Sequence, residues 1–278
     1  MKVNLAKSAG FCFGVKRALD IALKTAKSSS RVLMLGDIVH NEDVIKETRK
    51  AGIRKISRLV RGKGSILLIR AHGTGSATIK KAKALGYDVV DASCPMVKEI
   101  HRIALEMEQA GYKIIIIGDR KHDEVQGIIG QLKNKALVIE ASGKIPLERI
   151  KGIKQAAVLS QSTQNLEKVL PVVKELKRHI KEIKFFNTIC RPTRIKQEEI
   201  RSMPLENDVM IIIGSKTSAN TRRLFEISKA LNKRTYRIRS KKEIRPVWFK
   251  NAQKVGITAG ASTPQWITEE VVRYIKSF

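Results

Sequence analysis

Short, nearly continuous apolar runs alternate with amphipathic stretches along this 278-residue chain. The runs are rich in branched side chains and do not alternate with polar residues, which suits strands of parallel sheets buried on both faces. They cover residues 32–35, 66–69, 89–90, 114–117, 136–139, 156–159, 209–213 and 254–257. The pattern therefore predicts a series of buried parallel strands.

The stretches between these runs carry apolar residues at helical spacing. They cover residues 44–50, 78–85, 97–110, 166–177 and 221–231. Three of them are followed by Gly52, Gly86 or Gly111, and glycine is the residue expected just past a helix C-terminus. Pro95 is suited to open a helix at its first position. Strands that alternate with helices predict an α/β fold with mostly parallel sheets.

Polar residues capable of chemistry follow the predicted strands. Ligands of parallel sheets bind outside the carboxyl ends of the strands, so a site is expected at these positions. Three of the five histidines and two of the three cysteines lie there, and the third, Cys12, lies in a glycine-rich turn near the start of the chain. The segments are residues 36–41, 70–75, 91–95, 118–127, 160–164, 187–190, 214–220 and 258–264. This concentration predicts a functional site but does not identify its chemistry.

The three cysteines, Cys12, Cys94 and Cys190, are separated by 82 and 96 residues, about a third of the chain each time. Their odd number argues against a disulfide framework, and their even spacing suggests three similar units that each contribute one thiolate. Three thiolates can hold a cubane iron–sulfur cluster and leave its fourth iron without a protein ligand. Two alternatives stay open: a zinc site of three thiolates and a histidine, and three unrelated buried cysteines. Taken alone, the cysteines favour the last.

The net charge of +29 comes from 55 Lys and Arg against 26 Asp and Glu. Such a surface attracts polyanions, including nucleic acid and phosphorylated substrates. The basic residues are scattered, and aromatic residues, which stack on bases, make up only 5% of the chain. We therefore expect nucleic acid to bind only non-specifically, with a basic binding protein on an enzyme fold as the alternative.

No apolar segment approaches the roughly 20 residues that span a bilayer, and the first residues lack the apolar stretch of a secretory signal. Disulfides are rare in the reducing cytosol, where an odd number of thiols is unremarkable. We therefore expect a cytoplasmic protein with no membrane partner.

The motifs at the strand ends, taken together, are specific. They run in order from Gly10-Phe11-Cys12-Phe13-Gly14 to Gly256-Ile257-Thr258-Ala259-Gly260 and cover essentially the whole chain. In this they resemble the hydroxymethylbutenyl diphosphate reductases, the LytB/IspH family. The resemblance implies three similar α/β units with mostly parallel sheets, in a pseudo-threefold arrangement around a central [4Fe–4S] cluster. We place these units at residues 13–95, 96–192, and 193–278 together with 1–12.

The resemblance also implies the reaction and its participants. The allylic hydroxyl of 4-hydroxy-3-methylbut-2-enyl diphosphate would be removed reductively, giving isopentenyl and dimethylallyl diphosphate, the last step of the methylerythritol phosphate route to isoprenoids. The implied cofactor is a [4Fe–4S] cluster with its fourth iron open to substrate, and the implied electron donor is an external protein of the ferredoxin or flavodoxin type.

The same resemblance implies roles for individual residues. Cys12, Cys94 and Cys190 match the cluster ligands. The catalytic set comprises Glu124 as proton donor with Thr163 and His122. The substrate-binding set comprises His40, His72, His122, Thr163, Ser218, Ala219, Asn220 and Ser262. His101 and His179 lie on predicted helices among charged residues, and we predict ordinary surface positions for both.

The chain departs from the family pattern in two places. Ala219 stands where relatives commonly have a serine, and losing one hydrogen bond costs about 0.5–1.5 kcal/mol. After Cys190, Pro192 and Lys196 replace the usual residues, so we expect the local loop to differ. These departures leave a related enzyme of altered substrate or reduced activity as an alternative hypothesis.

Overall fold

The computed structural model describes all 278 residues, and its strands form three separate four-stranded parallel sheets. The first sheet contains β2 (Val32–Leu35), β3 (Arg54–Ile56), β4 (Ser65–Ile69) and β5 (Tyr87–Asp91). The second contains β6 (Lys113–Ile117), β7 (Leu137–Ile139), β8 (Gln155–Ser160) and β9 (Glu182–Phe186). The third contains β10 (Val209–Ile213), β11 (Thr235–Ile238) and β12 (Lys254–Ala259), completed by β1 (Lys2–Leu5).

The three sheets share one topology. The orders are β3-β2-β4-β5, β7-β6-β8-β9 and β11-β10-β12-β1, and every neighbouring pair is parallel. Each sheet thus has its strands in the order second, first, third, fourth, provided that β1 counts as the fourth strand of the third sheet. Val3 of β1 pairs with Val255 of β12, so a strand from the start of the chain completes the sheet formed by three strands from its last third. The prediction of an α/β fold with three similar parts is confirmed.

Ten α-helices connect these strands. They are α1 (Phe13–Ser28), α2 (Glu42–Lys50), α3 (Ser76–Ala84), α4 (Pro95–Gln109), α5 (Asp123–Ile129), α6 (Leu147–Ile150), α7 (Leu166–His179), α8 (Arg191–Glu206), α9 (Ala219–Leu231) and α10 (Gln265–Lys276). Gly52, Gly86 and Gly111 follow α2, α3 and α4 with φ of +91°, +85° and +84°, as expected of residues just past helix C-termini. No helix is both long and apolar enough to cross a membrane.

The chain divides into two compact units. The terminal unit comprises Met1–Lys16, Val39–Glu47 and Arg191–Phe278 and contains the third sheet. The central unit comprises Arg17–Ile38 and Thr48–Cys190 and contains the first and second sheets. The limits that we predicted for three α/β units stay a prediction.

The cores lie against the central strands of each sheet. Residues 114–117 of β6 and 209–213 of β10 are buried throughout, as their continuous apolar sequences predict. The strands that the apolar runs do not cover, β1, β3, β9 and β11, are all edge strands with sequences KVNL, RKI, EIKFF and TYRI. Edge strands are buried on fewer sides and therefore carry polar residues, which removes the signal.

The segment after Cys190 is helical and forms the first turn of α8, while the expected difference from the relatives stays a prediction. Pro192 is the second residue of that helix, where a missing N–H costs nothing because the first N–H groups of a helix have no intrahelical acceptor. Pro95 opens α4, as predicted.

Candidate active site

Each cysteine follows the fourth strand of one sheet and immediately precedes a long helix. Cys12 follows β1 and precedes α1, Cys94 follows β5 and precedes α4, and Cys190 follows β9 and precedes α8. These helices have 16, 15 and 16 residues. Each cysteine therefore lies at a helix N-terminus, where the helix dipole favours negative charge.

One backbone hydrogen bond recurs at all three cysteines. The N–H of Cys12 donates to the Ala261 oxygen at 3.0 Å, and that of Cys94 to the Ala71 oxygen at 2.9 Å. The N–H of Cys190 donates to the Ser162 oxygen at 3.0 Å. Each acceptor lies two residues past the third strand of its sheet, so the three cysteines occupy equivalent positions.

These positions fit an iron–sulfur cluster. No disulfide joins the cysteines, and each is half-buried. Three thiolates with fixed backbones, each at a helix N-terminus, are the donor set that such clusters use. The arrangement also removes the alternative of three unrelated buried cysteines, because unrelated positions would not share a strand end, a helix start and a hydrogen bond.

The polar residues that we predicted for the site follow the first and third strands of the sheets. In the central unit these are His72 after β4, His122 and Glu124 after β6, and Thr163 after β8. In the terminal unit they are Ser218, Ala219 and Asn220 after β10 and Ser262 after β12, together with His40. The predicted residues therefore form two sets, one in each compact unit.

Glu124 supplies the one carboxyl group of the central set and is buried, with 2% of the residue exposed. Its oxygens accept hydrogen bonds from Ser162, from the backbone N–H at 2.6 Å and from Oγ at 2.7 Å. Because the Ser162 carbonyl accepts the Cys190 N–H, one residue connects the carboxylate to a cysteine turn. Ser162 was not predicted, since a serine after a strand carries no distinguishing sequence signal.

His122 has two structural roles beside Glu124. Its Nδ1 accepts the Glu124 N–H at 3.2 Å, which caps α5. Its ring meets that of His72 edge to face, with centroids 5.3 Å apart. Thr163 lies on the next strand end, where its Oγ1 accepts a hydrogen bond from Gln161 Nε2 at 3.1 Å. The central set thus presents two imidazoles, a carboxyl group and a hydroxyl.

The terminal set is built around the first turn of α9. Ser218 caps this helix by accepting the Thr221 N–H at 3.3 Å, a role that serine favours. Asn220 is 4% exposed, yet neither its side-chain oxygen nor its nitrogen has a hydrogen-bond partner. Buried amides are rarely left so, and a helix N-terminus with a spare amide suits an anionic ligand. Ser262 Oγ donates to the His40 oxygen at 3.2 Å.

Lys196 on α8 is a buried cation that sequence analysis noted only as a departure. It is 2% exposed, and its Nζ donates to the Gly10 oxygen at 3.0 Å, to the Ala259 oxygen at 3.1 Å and to the Ser8 oxygen. Burial lowers the pKa of Lys196 to about 8, although the nearby Cys12 and Glu199 act in the opposite direction. The apolar pattern could not reveal this, because lysine in a helix is usually exposed.

The prediction of a surface position is wrong for His101, whereas His179 is exposed on α7 and pairs with Glu175. The ring of His101 lies under Gly73, where an added Cβ would come within 2.8 Å of it. Gln131 Nε2 lies 3.1 Å from its Nδ1. Burial lowers the pKa of His101 to about 4, against a smaller opposing effect of Asp91. A side chain on the inner face of α4 therefore supports the turn that carries His72.

Comparison with known proteins gives a consistent picture. A family model described as "LytB protein" matches residues 3–276. The 4-hydroxy-3-methylbut-2-enyl diphosphate reductase of Geobacter sulfurreducens is 39% identical over 278 residues, covering 100% of this chain and 98% of the relative. The protein of the same name from Aquifex aeolicus is 40% identical over 273 residues, covering 97% and 94%.

Two solved structures are similar over nearly the whole chain. One is described as (E)-4-hydroxy-3-methyl-but-2-enyl diphosphate reductase, the terminal enzyme of the non-mevalonate pathway; it is 38% identical with a TM-score of 0.75, covering 100% of both chains. The other is the E-1-hydroxy-2-methyl-but-2-enyl-4-diphosphate reductase from Plasmodium falciparum, 27% identical with a TM-score of 0.87, covering 98% of this chain and 87% of that one.

Proposed function

The chain belongs to the LytB family, and we propose that it reduces 4-hydroxy-3-methylbut-2-enyl diphosphate to isopentenyl and dimethylallyl diphosphate. The observation that carries this proposal is the equivalent position of Cys12, Cys94 and Cys190 after the fourth strand of each sheet. Family membership supplies the substrate, and the three equivalent thiols supply a reason why this chain could do redox chemistry on it.

We assign the three cysteines as ligands of a [4Fe–4S] cluster. When bound, such a cluster supplies electrons and a Lewis-acidic iron that has no protein ligand. The helix N-termini next to the cysteines offset the negative charge of the thiolates. The repeated hydrogen bond to each cysteine N–H fixes the backbone from which each ligand projects.

Glu124 is the proton donor in this proposal. Removing the allylic hydroxyl as water and forming a new C–H bond consumes two electrons and two protons, and one proton must reach the departing oxygen. The two hydrogen bonds from Ser162 hold the carboxyl group in one orientation, and its burial excludes bulk water as a competing acid. His122 and Thr163 complete the proton-delivery set.

The diphosphate is bound by directed donors in this proposal. They are His40, His72, His122, Thr163, Ser218, Asn220 and Ser262, with Ala219 able to offer only its backbone N–H. The unpartnered amide of Asn220 supports this assignment, since a phosphate oxygen would accept its N–H groups. Ala219 begins α9, where the backbone N–H groups of the first turn favour an anion.

We further propose that electrons arrive from an external ferredoxin- or flavodoxin-type donor. A donor is needed because the substrate accepts electrons and supplies none. Its site of action is the cytoplasm in this proposal, where a reducing environment keeps thiolate ligands available.

The first test is anaerobic turnover of the substrate, followed as oxidation of a reduced viologen dye, with the cluster confirmed spectroscopically. We expect substrate-dependent oxidation that yields both five-carbon diphosphates. Glu124→Gln should retain iron and lower kcat by about 10²–10⁴-fold, because the amide cannot donate the carboxyl proton. Glu140→Gln, at an exposed position after β7, is the matched control. Cluster-loaded protein without turnover would contradict the proposal, and wild-type kcat in Glu124→Gln would assign the proton to another group.

A further inference from the structure

We propose that Lys196 and Glu199, here called the α8 pair, position the turn that carries Cys12 and supply its thiolate with a fixed positive charge. Lys196 is thus a positioning residue for a cysteine on a different element. The effect on a cluster rests on the proposed function, whereas the effect on the turn does not.

The α8 pair binds both the carbonyl oxygens and an N–H group of the turn between β1 and α1. Lys196 Nζ donates to the oxygens of Ser8, Gly10 and Ala259, which uses all three of its N–H donors. Glu199 accepts from the Ser8 N–H, with N···O distances of 3.1 and 3.2 Å, and from Ser8 Oγ. The carbonyl and the N–H of Ser8 are therefore both fixed by α8.

The spacing within α8 makes this possible. Residues three apart lie on the same side of a helix, so Lys196 and Glu199 reach the turn together. Glu198, between them, is exposed. The same lysine also contacts the end of β12 through Ala259, so one side chain ties the turn to the third strand of its own sheet.

The turn itself needs external support. Gly10 has φ of +96°, a conformation that flexible glycine adopts but does not favour over others. Its sequence, Lys7-Ser8-Ala9-Gly10, offers few side chains that could fix it locally. The Cys12 N–H is held by Ala261, so the α8 pair fixes the residues just before the ligand.

The hydrogen bonds of Lys196 explain how it holds the turn, but they do not explain why the residue there is charged. A buried ammonium is costly, and a neutral donor such as glutamine would avoid that cost. Glu199 and Cys12 both lie close enough to act electrostatically on this ammonium group. A positive charge near a thiolate-bound cluster favours the reduced, more negative state, so Lys196 should raise the reduction potential and Glu199 should lower it.

The experiment compares four variants with the wild type after anaerobic cluster reconstitution. Lys196→Met removes the charge and the donors, Lys196→Arg keeps both, and Glu199→Gln removes the opposing charge. Arg194→Met removes an exposed positive charge from the same helix and is the control for overall charge. The readouts are iron per chain, the midpoint potential of the cluster, and amide hydrogen exchange of the peptide that contains residues 6–12.

In Lys196→Met we expect the amides of residues 6–12 to exchange with solvent at least about tenfold faster than in the wild type. A tenfold faster exchange corresponds to a free energy of local opening that is lower by about 1.4 kcal/mol. The iron content of this variant should fall and the potential of the remaining cluster should decrease, while Lys196→Arg should restore both. Glu199→Gln should also speed exchange but shift the potential upward. Arg194→Met should match the wild type in all three readouts.

Unchanged exchange and potential in Lys196→Met would overturn the proposal. Shifts of the same sign in Lys196→Met and Glu199→Gln would also overturn it, because a merely structural role has no reason to reverse with charge. If Lys196→Met does not fold, the proposal is tested with Glu199→Gln and Lys196→Arg by the same three readouts. Wild-type protein that binds no cluster would contradict the proposed function instead, and hydrogen exchange would still test the turn.

Discussion

The turns that carry Cys12 and Cys94 have the same place in the topology but are stabilised by different interactions. At Cys94 the contacts are mostly local: Asp91 accepts the Ser93 N–H at 2.8 Å and pairs with Lys98 at 2.6 Å. Both ionic side chains are partly exposed, 47% for Lys98 and 40% for Asp91. Arg17 adds a contact from its NH1 to the Ser93 oxygen at 3.1 Å.

At Cys12 the contacts are buried and distant in sequence. Lys196 and Glu199 lie 188 and 191 residues from Ser8, which they hold. The turn can therefore reach its final form only after the two ends of the chain have met in the third sheet. A local turn costs less entropy to close than one that depends on such a distant contact.

The difference shows that a repeated fold does not imply repeated energetics. A partly exposed ion pair contributes little because water screens it, whereas removing one partner of a buried polar group leaves the others unsatisfied. Burial acts to raise the pKa of Asp91, but hydrogen bonds from Lys98 and Ser93 outweigh it and keep that pKa below its usual value. We therefore expect equal losses of bound iron when either cysteine is replaced. We expect unequal losses of stability when the contacts that hold the two turns are removed.

The largest predicted effect is loss of the cluster on substitution of either cysteine. Cys12→Ser and Cys94→Ser should each lower iron per chain by more than about tenfold. Replacing even a residue that only hydrogen-bonds to a metal ligand lowers metal affinity about 10–100-fold, and here the ligand itself is removed. The measurement is iron and acid-labile sulfide after anaerobic reconstitution, with circular dichroism to show that the protein is folded. If one variant keeps its iron, that cysteine is not a ligand and the two turns are not equivalent.

Much of this comparison could be predicted from the sequence, and the rest could not for definable reasons. The central strands and helices α2, α3, α4, α7 and α9 follow from apolar runs and periodicity, and Pro95 correctly indicates a helix start. The burial of Lys196 could not be predicted, because lysine is usually exposed and its partners lie on other elements. The partial burial of His101 likewise depends on Gly73 and Gln131, which lie outside α4. Helices α1, α8 and α10 lie outside the predicted stretches; at α1 the glycine-rich motif around Cys12 dominates the beginning of the helix.

A smaller effect is predicted for His101, the half-buried histidine of α4. Burial disfavours the charged ring, so the pKa of His101 is about 4 in the folded protein, against 6.5 for the solvent-exposed ring in the unfolded chain. Between these values the unfolded state binds the proton and the folded state does not, so stability falls as the pH decreases from 6.5 to 4 and is fully present above 6.5. The loss should reach about 2 kcal/mol between pH 7 and pH 5.

Urea unfolding of wild type and His101→Gln at pH 7 and pH 5 tests this. The variant should lose less stability on acidification than the wild type, since glutamine does not titrate. His179→Gln, at an exposed position of α7, should behave like the wild type. Equal pH dependence of stability in wild type and His101→Gln would mean that acid destabilises the protein through other groups. The contrast between the neutral His101 of α4 and the charged Lys196 of α8 would then not hold.

The smallest effect is predicted for the ion pair beside Cys94. Lys98→Ala should lower the free energy of unfolding by less than about 1 kcal/mol, because an exposed pair is screened and its side chains lose entropy on pairing. At about 1 M salt, where the screening length is near 3 Å, the difference from wild type should shrink further. Chemical unfolding at low and high salt, with Lys196→Met measured beside it, gives the comparison directly. A loss above about 2 kcal/mol that salt does not reduce would show that the Cys94 turn, like the Cys12 turn, depends on one strong polar contact, and the two turns would then differ only in the sequence distance of their partners.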